Sequence, residues 1–213
     1  MLNGEARKVQ PISKATASRL SVVCDGLLFR IFPQSANAGE RRLVVAFTSP
    51  HPAAGVTEVT RMLAKTLRQC RADLATCLSY RSLLQQGLAA SNSRLQAEPN
   101  ARDWNGLGTN DERGNWLAIQ ELLATSLDRL RLQHRCVLID CAAISETHDA
   151  IRLAPLVDGV VLVVEANRTR RDQIRFAERT IESAGGRILG HVLNKRTYAI
   201  PGWFHRAMTS VGL

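Results

Sequence analysis

The amino-acid sequence predicts an α/β domain: a mostly parallel sheet flanked by helices on both faces. Three observations carry that expectation. Strand-like and helix-like segments alternate through most of the 213 residues, the order that builds parallel sheets. The strand-like segments are continuous apolar runs, LVVAF (43–47), CVLI (136–139) and GVVLVV (159–164), as expected of strands covered on both faces. The first run leads through a Pro- and Gly-containing loop into a helical pattern, at the strand end where such sheets bind ligands.

The elements follow in order. Residues 1–18 are polar and read as a flexible N-terminal arm, leaving 19–213 as a single domain. Over 19–32, Leu20, Val23, Leu27 and Ile31 recur at helical spacing, and Pro33 ends the pattern. Leu43–Phe47 is a buried strand. From Thr57 to Gln69, Val59, Met62, Leu63 and Leu67 form one face of a helix. Leu74–Leu78 is a second strand. Residues 86–115, rich in Gly, Asn and Ser, read as a long surface segment. Helical spacing returns over 116–132 through Leu123, Leu127 and Leu130. Cys136–Asp140 and Gly159–Val164 are strands, with a short helix over 147–155 between them. Thr169–Ala184 is a helix with Ile174, Ala177 and Ile181 inward, stopped by Gly185 and Gly186. Ile188–Leu193 is the last strand before a tail containing Pro201 and Trp203.

The net charge of +9 favours acidic partners: a membrane face, an acidic protein tail or nucleic acid. A solvated basic surface is the plainer reading. No aromatic residues interleave with the arginines, which argues against a single-strand nucleic-acid platform. No apolar run reaches the ~18 residues needed to cross a bilayer, and the N-terminus lacks the apolar stretch of a signal peptide. A cytoplasmic protein is expected. The five cysteines form no Cys-x-x-Cys pair and read as free thiols.

Residues 49–57, SPHPAAGVT, have the context of a phosphate-binding loop between strand and helix. Such loops curl backbone N–H groups around phosphate oxygens; a lysine reaches the β- and γ-phosphates and a Ser or Thr hydroxyl holds Mg²⁺. Gly55 and Thr57 stand in the right relation. Val56 stands where the lysine belongs, and Ala53 where a glycine is usual. Asp140, closing the apolar strand 136–139, has the place of the carboxylate that approaches the metal. His51 reads as exposed rather than catalytic, and His134 and His191 as structural.

From about residue 19 to 206 the chain resembles the cytoplasmic domain of bacterial tyrosine autokinases of capsule and exopolysaccharide assembly, within the ParA- and MinD-like P-loop ATPases. The resemblance is carried by QHRCVLIDCAA (133–143), by the stretch from Asp149 through DGVVLVV (158–164), by TRR (169–171), by GHVLNK (190–195) and by YAIPGWFHR (198–206). It implies ATP or ADP with Mg²⁺, phosphates on the loop at Gly55 and Thr57, metal at Thr57 and Asp140, and Asn194 beside the adenine base. It implies as partner a membrane-anchored polysaccharide copolymerase, or an active kinase of the same family, in a homo- or hetero-oligomer at the inner membrane face.

Three departures set the expected function. Val56 replaces the lysine. LATCLSYR (74–81) holds no carboxylate where the family has a second acidic motif. The terminal tyrosine cluster is missing, the only tyrosines being Tyr80 and Tyr198. The expectation is a degenerate, non-catalytic kinase-like protein in which Asp140 is vestigial and ATP and Mg²⁺ binding is weakened. The alternatives are an active tyrosine autokinase or ATPase, with an arginine such as Arg81 replacing the lysine, and a ParA- or MinD-like positioning protein.

Overall fold

The computed structural model describes residues 42–70, 75–92 and 112–196, all within the compact unit Glu40–Leu213. The expected N-terminal arm, the helix over 19–32 and the tail beyond Arg196 lie outside the described residues. Five strands, β1 (Leu43–Thr48), β2 (Ala75–Ser79), β3 (Cys136–Asp140), β4 (Gly159–Glu165) and β5 (Ile188–Asn194), form one sheet in the order β2-β3-β1-β4-β5. Every neighbouring pair is parallel. The helices are α1 (Val56–Cys70), α2 (Tyr80–Asn92), α3 (Glu112–Gln133), α4 (Asp149–Leu153) and α5 (Arg171–Ser183). Among the described residues no helix is long and apolar enough to cross a membrane.

Period-two alternation sorts each strand between two packed layers. Val44 and Ala46 of β1, Val137 and Ile139 of β3 and Val160 of β4 face a core completed by Leu83 of α2, Ile119, Leu123 and Leu127 of α3, Leu153 of α4 and Ile181 of α5. The intervening Val45, Phe47 and Leu138 are equally buried. They face the other way, towards α1, which packs on β1, β2 and β3 and buries Val59, Leu63 and Ala64. A sheet covered twice leaves no room for polar alternation, which is why the strands read as apolar runs.

Residues 86–92, expected as surface segment, are helical, as are 112–115. The glycine that suggested a loop, Gly87, is where α2 meets α3: a Cβ there would lie 2.6 Å from Ser126 Oγ and 3.2 Å from the Leu122 carbonyl. The glycine serves close approach between helices, not a turn. The stop at the end of α5 is as expected. Gly185, at φ +84°, donates to the Glu182 carbonyl, and Gly186 donates to that of Ile181, the paired bonds of a left-handed C-terminal cap.

Candidate functional site

The order β3-β1-β4-β5 brings the carboxyl ends of four strands together, and the sequence-predicted residues arrive with them. Phe47 near the end of β1 is in register with Asp140, the last residue of β3. Asn194 is the last residue of β5, paired with Glu165 of β4. Gly55, Val56 and Thr57 lead from the loop into α1. The loop after β3 is stitched to the loop after β1. Thr48 Oγ1 donates to the Ala142 carbonyl at 2.6 Å, and the Ile144 N–H donates to the Ser49 carbonyl at 2.9 Å.

Between β1 and α1 the chain makes a tight curl. Ala53 has φ +65° and Gly55 φ +90°, so two nearby residues adopt the left-handed conformation. Such a curl points successive N–H groups inward, at the positive end of a 15-residue helix. The curl is held from β5. Asn194 Nδ2 donates to the Ala54 carbonyl at 2.9 Å, its Oδ1 accepts the Lys195 N–H at 2.9 Å, and the residue is 8% exposed. Lys195 Nζ donates to the Ala53 carbonyl and lies 3.5 Å from Glu165 Oε1. Both ends of the Asn194 carboxamide are therefore engaged by the protein's own backbone.

Val56 begins α1, and its side chain is buried at 9% exposure. It contributes apolar packing beneath the loop and no charge above it. Thr57 Oγ1 donates to Asp140 Oδ2 at 2.7 Å. Burial pushes the Asp140 carboxyl above its usual range, opposed by the Thr57 hydroxyl and the positive charge of Arg61. At the end of β2, where the resemblance calls for carboxylates, Ser79 lies in register with Asp140. Its hydroxyl accepts the Ser82 N–H at 3.1 Å, which makes it the N-cap of α2. Cys77, two residues earlier, is a half-buried free thiol pushed above its usual range by burial and by the Asp140 charge, opposed by Arg61 and Arg68.

His51 is half-buried rather than exposed. Its Nδ1 donates to the Pro52 carbonyl at 2.9 Å and its Nε2 meets Thr169 Oγ1 at 2.6 Å, tying the loop to the β4–α5 turn. His191 pairs with Glu178 at 2.8 Å. Sequence reasoning did not single out Lys195 or Arg61. Lys195 directly follows Asn194, and Arg61 lies one helical turn beyond Thr57 on the same face of α1.

No family model matches the chain. A 59-residue stretch is 37% identical to the tyrosine-protein kinase CpsD of Streptococcus agalactiae, covering 28% of this chain and 26% of that protein. An 83-residue stretch is 31% identical to the succinoglycan biosynthesis transport protein ExoP of Rhizobium meliloti, covering 39% of this chain and 11% of that protein. The chain thus spans about a quarter of the one relative's length and about a tenth of the other's. The kinase domain of the Escherichia coli tyrosine kinase ETK matches in fold with a TM-score of 0.60 at 15% identity, over 92% of this chain and 88% of that one.

Proposed function

From a chain that resembles bacterial tyrosine-kinase domains in sequence and in fold, we propose a protein that acts by binding rather than by phosphoryl transfer. It would be a non-catalytic regulator or assembly partner in capsular or exopolysaccharide biosynthesis and export. The observation that carries this reading is the buried Val56 at the first position of α1. Phosphoryl transfer depends on positioning and on charge stabilisation of the transferring group. Removing one such contact costs on the order of 10² to 10⁴ in rate. The end of β2 adds to the deficit, since Cys77 and Ser79 carry no negative charge there and the Ser79 hydroxyl is spent on a helix cap.

The loop conformation supports a retained capacity for phosphate. Its left-handed residues and the α1 N-terminus favour an anion without help from a lysine. ADP or ATP is the expected ligand, held through backbone N–H groups of the loop. The partner in this reading is a membrane-anchored polysaccharide copolymerase or an active kinase paralogue at the inner membrane face. The likeness to ExoP, a biosynthesis transport protein, supports it, as does the basic surplus of the chain.

A fluorescent ATP analogue tests both halves. Weak binding with no turnover is expected. Turnover that Asp140→Ala abolishes would sink the non-catalytic reading in favour of an active ATPase. Val56→Lys should tighten binding if the rest of the pocket is intact.

A further inference from the structure

Away from the loop, two buried side-chain atoms have no hydrogen-bond partner: Tyr80 Oη and Arg152 Nε. Tyr80 opens α2, directly after Ser79, and is 5% exposed. It belongs to the core layer that also holds Cys141 and, from α4, Ala150 and Leu153, which bracket Arg152 in sequence. The Arg152 side chain lies beside the Tyr80 hydroxyl, yet no well-formed hydrogen bond joins them. The guanidinium carbon of Arg152 lies 5.5 Å from the centre of the Trp116 ring on α3. Gln120, one turn further along α3, donates to the Arg152 carbonyl at 2.9 Å and holds α4 in place. Helices α2, α3 and α4 thus converge on one guanidinium, beyond the carboxyl ends of β2 and β3 and on the layer away from α1.

Native structures rarely leave such atoms orphaned, and a buried charge needs a counter-ion more than a hydroxyl needs a partner. Among the described residues no ion pair includes Arg152. Asp149, one turn earlier on α4, is engaged elsewhere, its carboxyl hydrogen-bonded to the Thr147 side chain and the Ala142 backbone. The Trp116 ring face attracts the cation but accepts no hydrogen bond from Nε. A water molecule would satisfy the hydroxyl and leave the charge uncompensated. The missing group is an acceptor that is itself negative. Arg152 is only partly buried and Trp116 is 38% exposed, so the pair is open to solvent on its outer side.

We infer that Tyr80, Arg152 and Trp116 form an anion site separate from the loop 49–57, which takes an oxyanion, the phosphate or carboxylate group of a small molecule, between the Tyr80 hydroxyl and the Arg152 guanidinium. Both orphaned atoms then donate to it. Guanidinium donors suit the oxygens of either group, in bonds about twice as strong as neutral ones, and Trp116 walls the outer side. The site does not depend on the loop retaining its affinity for phosphate.

The test is urea denaturation of the full chain in sodium phosphate and in sodium acetate, each against sodium chloride at matched ionic strength. At least one of the two oxyanions should raise the midpoint of the wild type. At ten times its dissociation constant, the ratio of folded to unfolded protein should rise about tenfold. Arg152→Gln should weaken the response about tenfold in apparent dissociation constant, as expected for one charge-assisted contact. Tyr80→Phe gives the readout that a merely structural role would not move. In chloride it should match or exceed the wild type, because it deletes an unsatisfied hydroxyl; in the stabilising oxyanion the wild type should overtake it. Tryptophan emission should change on titration with that anion, and Trp116→Phe should remove the change. Phosphate held by the loop would stabilise the wild type, Arg152→Gln and Tyr80→Phe alike, so an equal response in all three overturns the inference. Indifference of the wild type to both oxyanions relative to chloride overturns it too. A response to acetate alone assigns the carboxylate as ligand, and a response to phosphate alone assigns the phosphate.

Discussion

Asn194 closes over Gly55: a Cβ at Gly55 would lie 2.3 Å from Asn194 Nδ2, the atom that also donates to the Ala54 carbonyl. Two separate constraints therefore meet at one glycine, the contact and the backbone angle of +90°. Gly55→Ala should cost about 2–4 kcal/mol, the sum of a strained left-handed residue and a displaced hydrogen bond. Asn194→Ala in the same chain should remove the clash but not the backbone strain, so the double variant recovers only part of the loss. Urea denaturation of the four members of the cycle measures the split. Full recovery would show that the angle is harmless.

Two residues earlier the sign reverses. Ala53 adopts φ +65° with a side chain that disfavours it, a cost of roughly 1–2 kcal/mol. Glycine removes that cost and adds roughly 0.5–1 kcal/mol of unfolded-state entropy. Ala53→Gly should therefore stabilise the protein by up to about 1 kcal/mol, read as an increase in denaturation midpoint at unchanged slope. A loss of stability would mean that the Ala53 methyl makes packing contacts that outweigh its strain.

The sequence made the sheet legible because burial on both faces leaves a direct mark, the apolar runs of β1, β3 and β4. It made the loop legible because residues 49–57 join the apolar run of β1 to a helical pattern, and Asp140 closes the apolar run of β3. The end of α2 was hidden. In GLAASN, glycine, serine and asparagine carry local turn signals, while the reason for Gly87 lies 39 positions away at Ser126, in a contact no local window contains. The role of Ser79 was hidden for a similar reason, since a serine that replaces an expected carboxylate and a serine that caps a helix look alike until Tyr80–Asn92 is seen to be helical. The Asn194 amide bond to Ala54 spans 140 positions, and only the strand order places its two ends together.

Gly87 supports a test of the helix contact. In an exposed helix, Gly→Ala gains about 1 kcal/mol. Here the added Cβ would meet Ser126 Oγ at 2.6 Å and the Leu122 carbonyl at 3.2 Å, and Ser126 Oγ itself donates to that carbonyl at 2.7 Å. Gly87→Ala should destabilise by about 1–3 kcal/mol as an overpacking change. Adding Ser126→Ala should return part of it, because the closest atom is gone while the backbone carbonyl stays. Stabilisation by Gly87→Ala alone would show that α2 and α3 can separate at no cost.

Asp158 pins the start of β1. Its Oδ2 accepts the Val44 N–H at 2.7 Å and lies 3.6 Å from Arg131 Nη2, while its own N–H donates to the Val44 carbonyl at 2.9 Å. Val44 is fully buried, so Asp158→Ala would leave its N–H without that acceptor. The expected cost is about 1–3 kcal/mol. Asp158→Asn keeps an acceptor oxygen and should lose less. Thermal unfolding of the two variants decides between hydrogen bond and charge: equal losses would assign the effect to the Arg131 ion pair instead.

Cys136 begins β3, almost fully buried, and burial alone pushes its thiol from an ordinary 9.0 to about 12. The sign follows from which state holds the proton. Between those values the unfolded chain has lost it and the native chain has not, so the native state binds more protons and stability falls as pH rises. The contribution is intact below about pH 9 and is lost progressively towards about pH 12, with a slope approaching ~1.4 kcal/mol per pH unit for one thiol. Cys141, likewise buried, shifts in the same direction. Cys136→Ala should unfold with a shallower pH dependence than the wild type across that window, whatever constant offset the missing sulfur introduces. Denaturant midpoints for both proteins, taken through the alkaline range, measure the difference in slope. Parallel curves would mean that the native thiol titrates as freely as the unfolded one and that the end of β3 opens to solvent well before the domain unfolds.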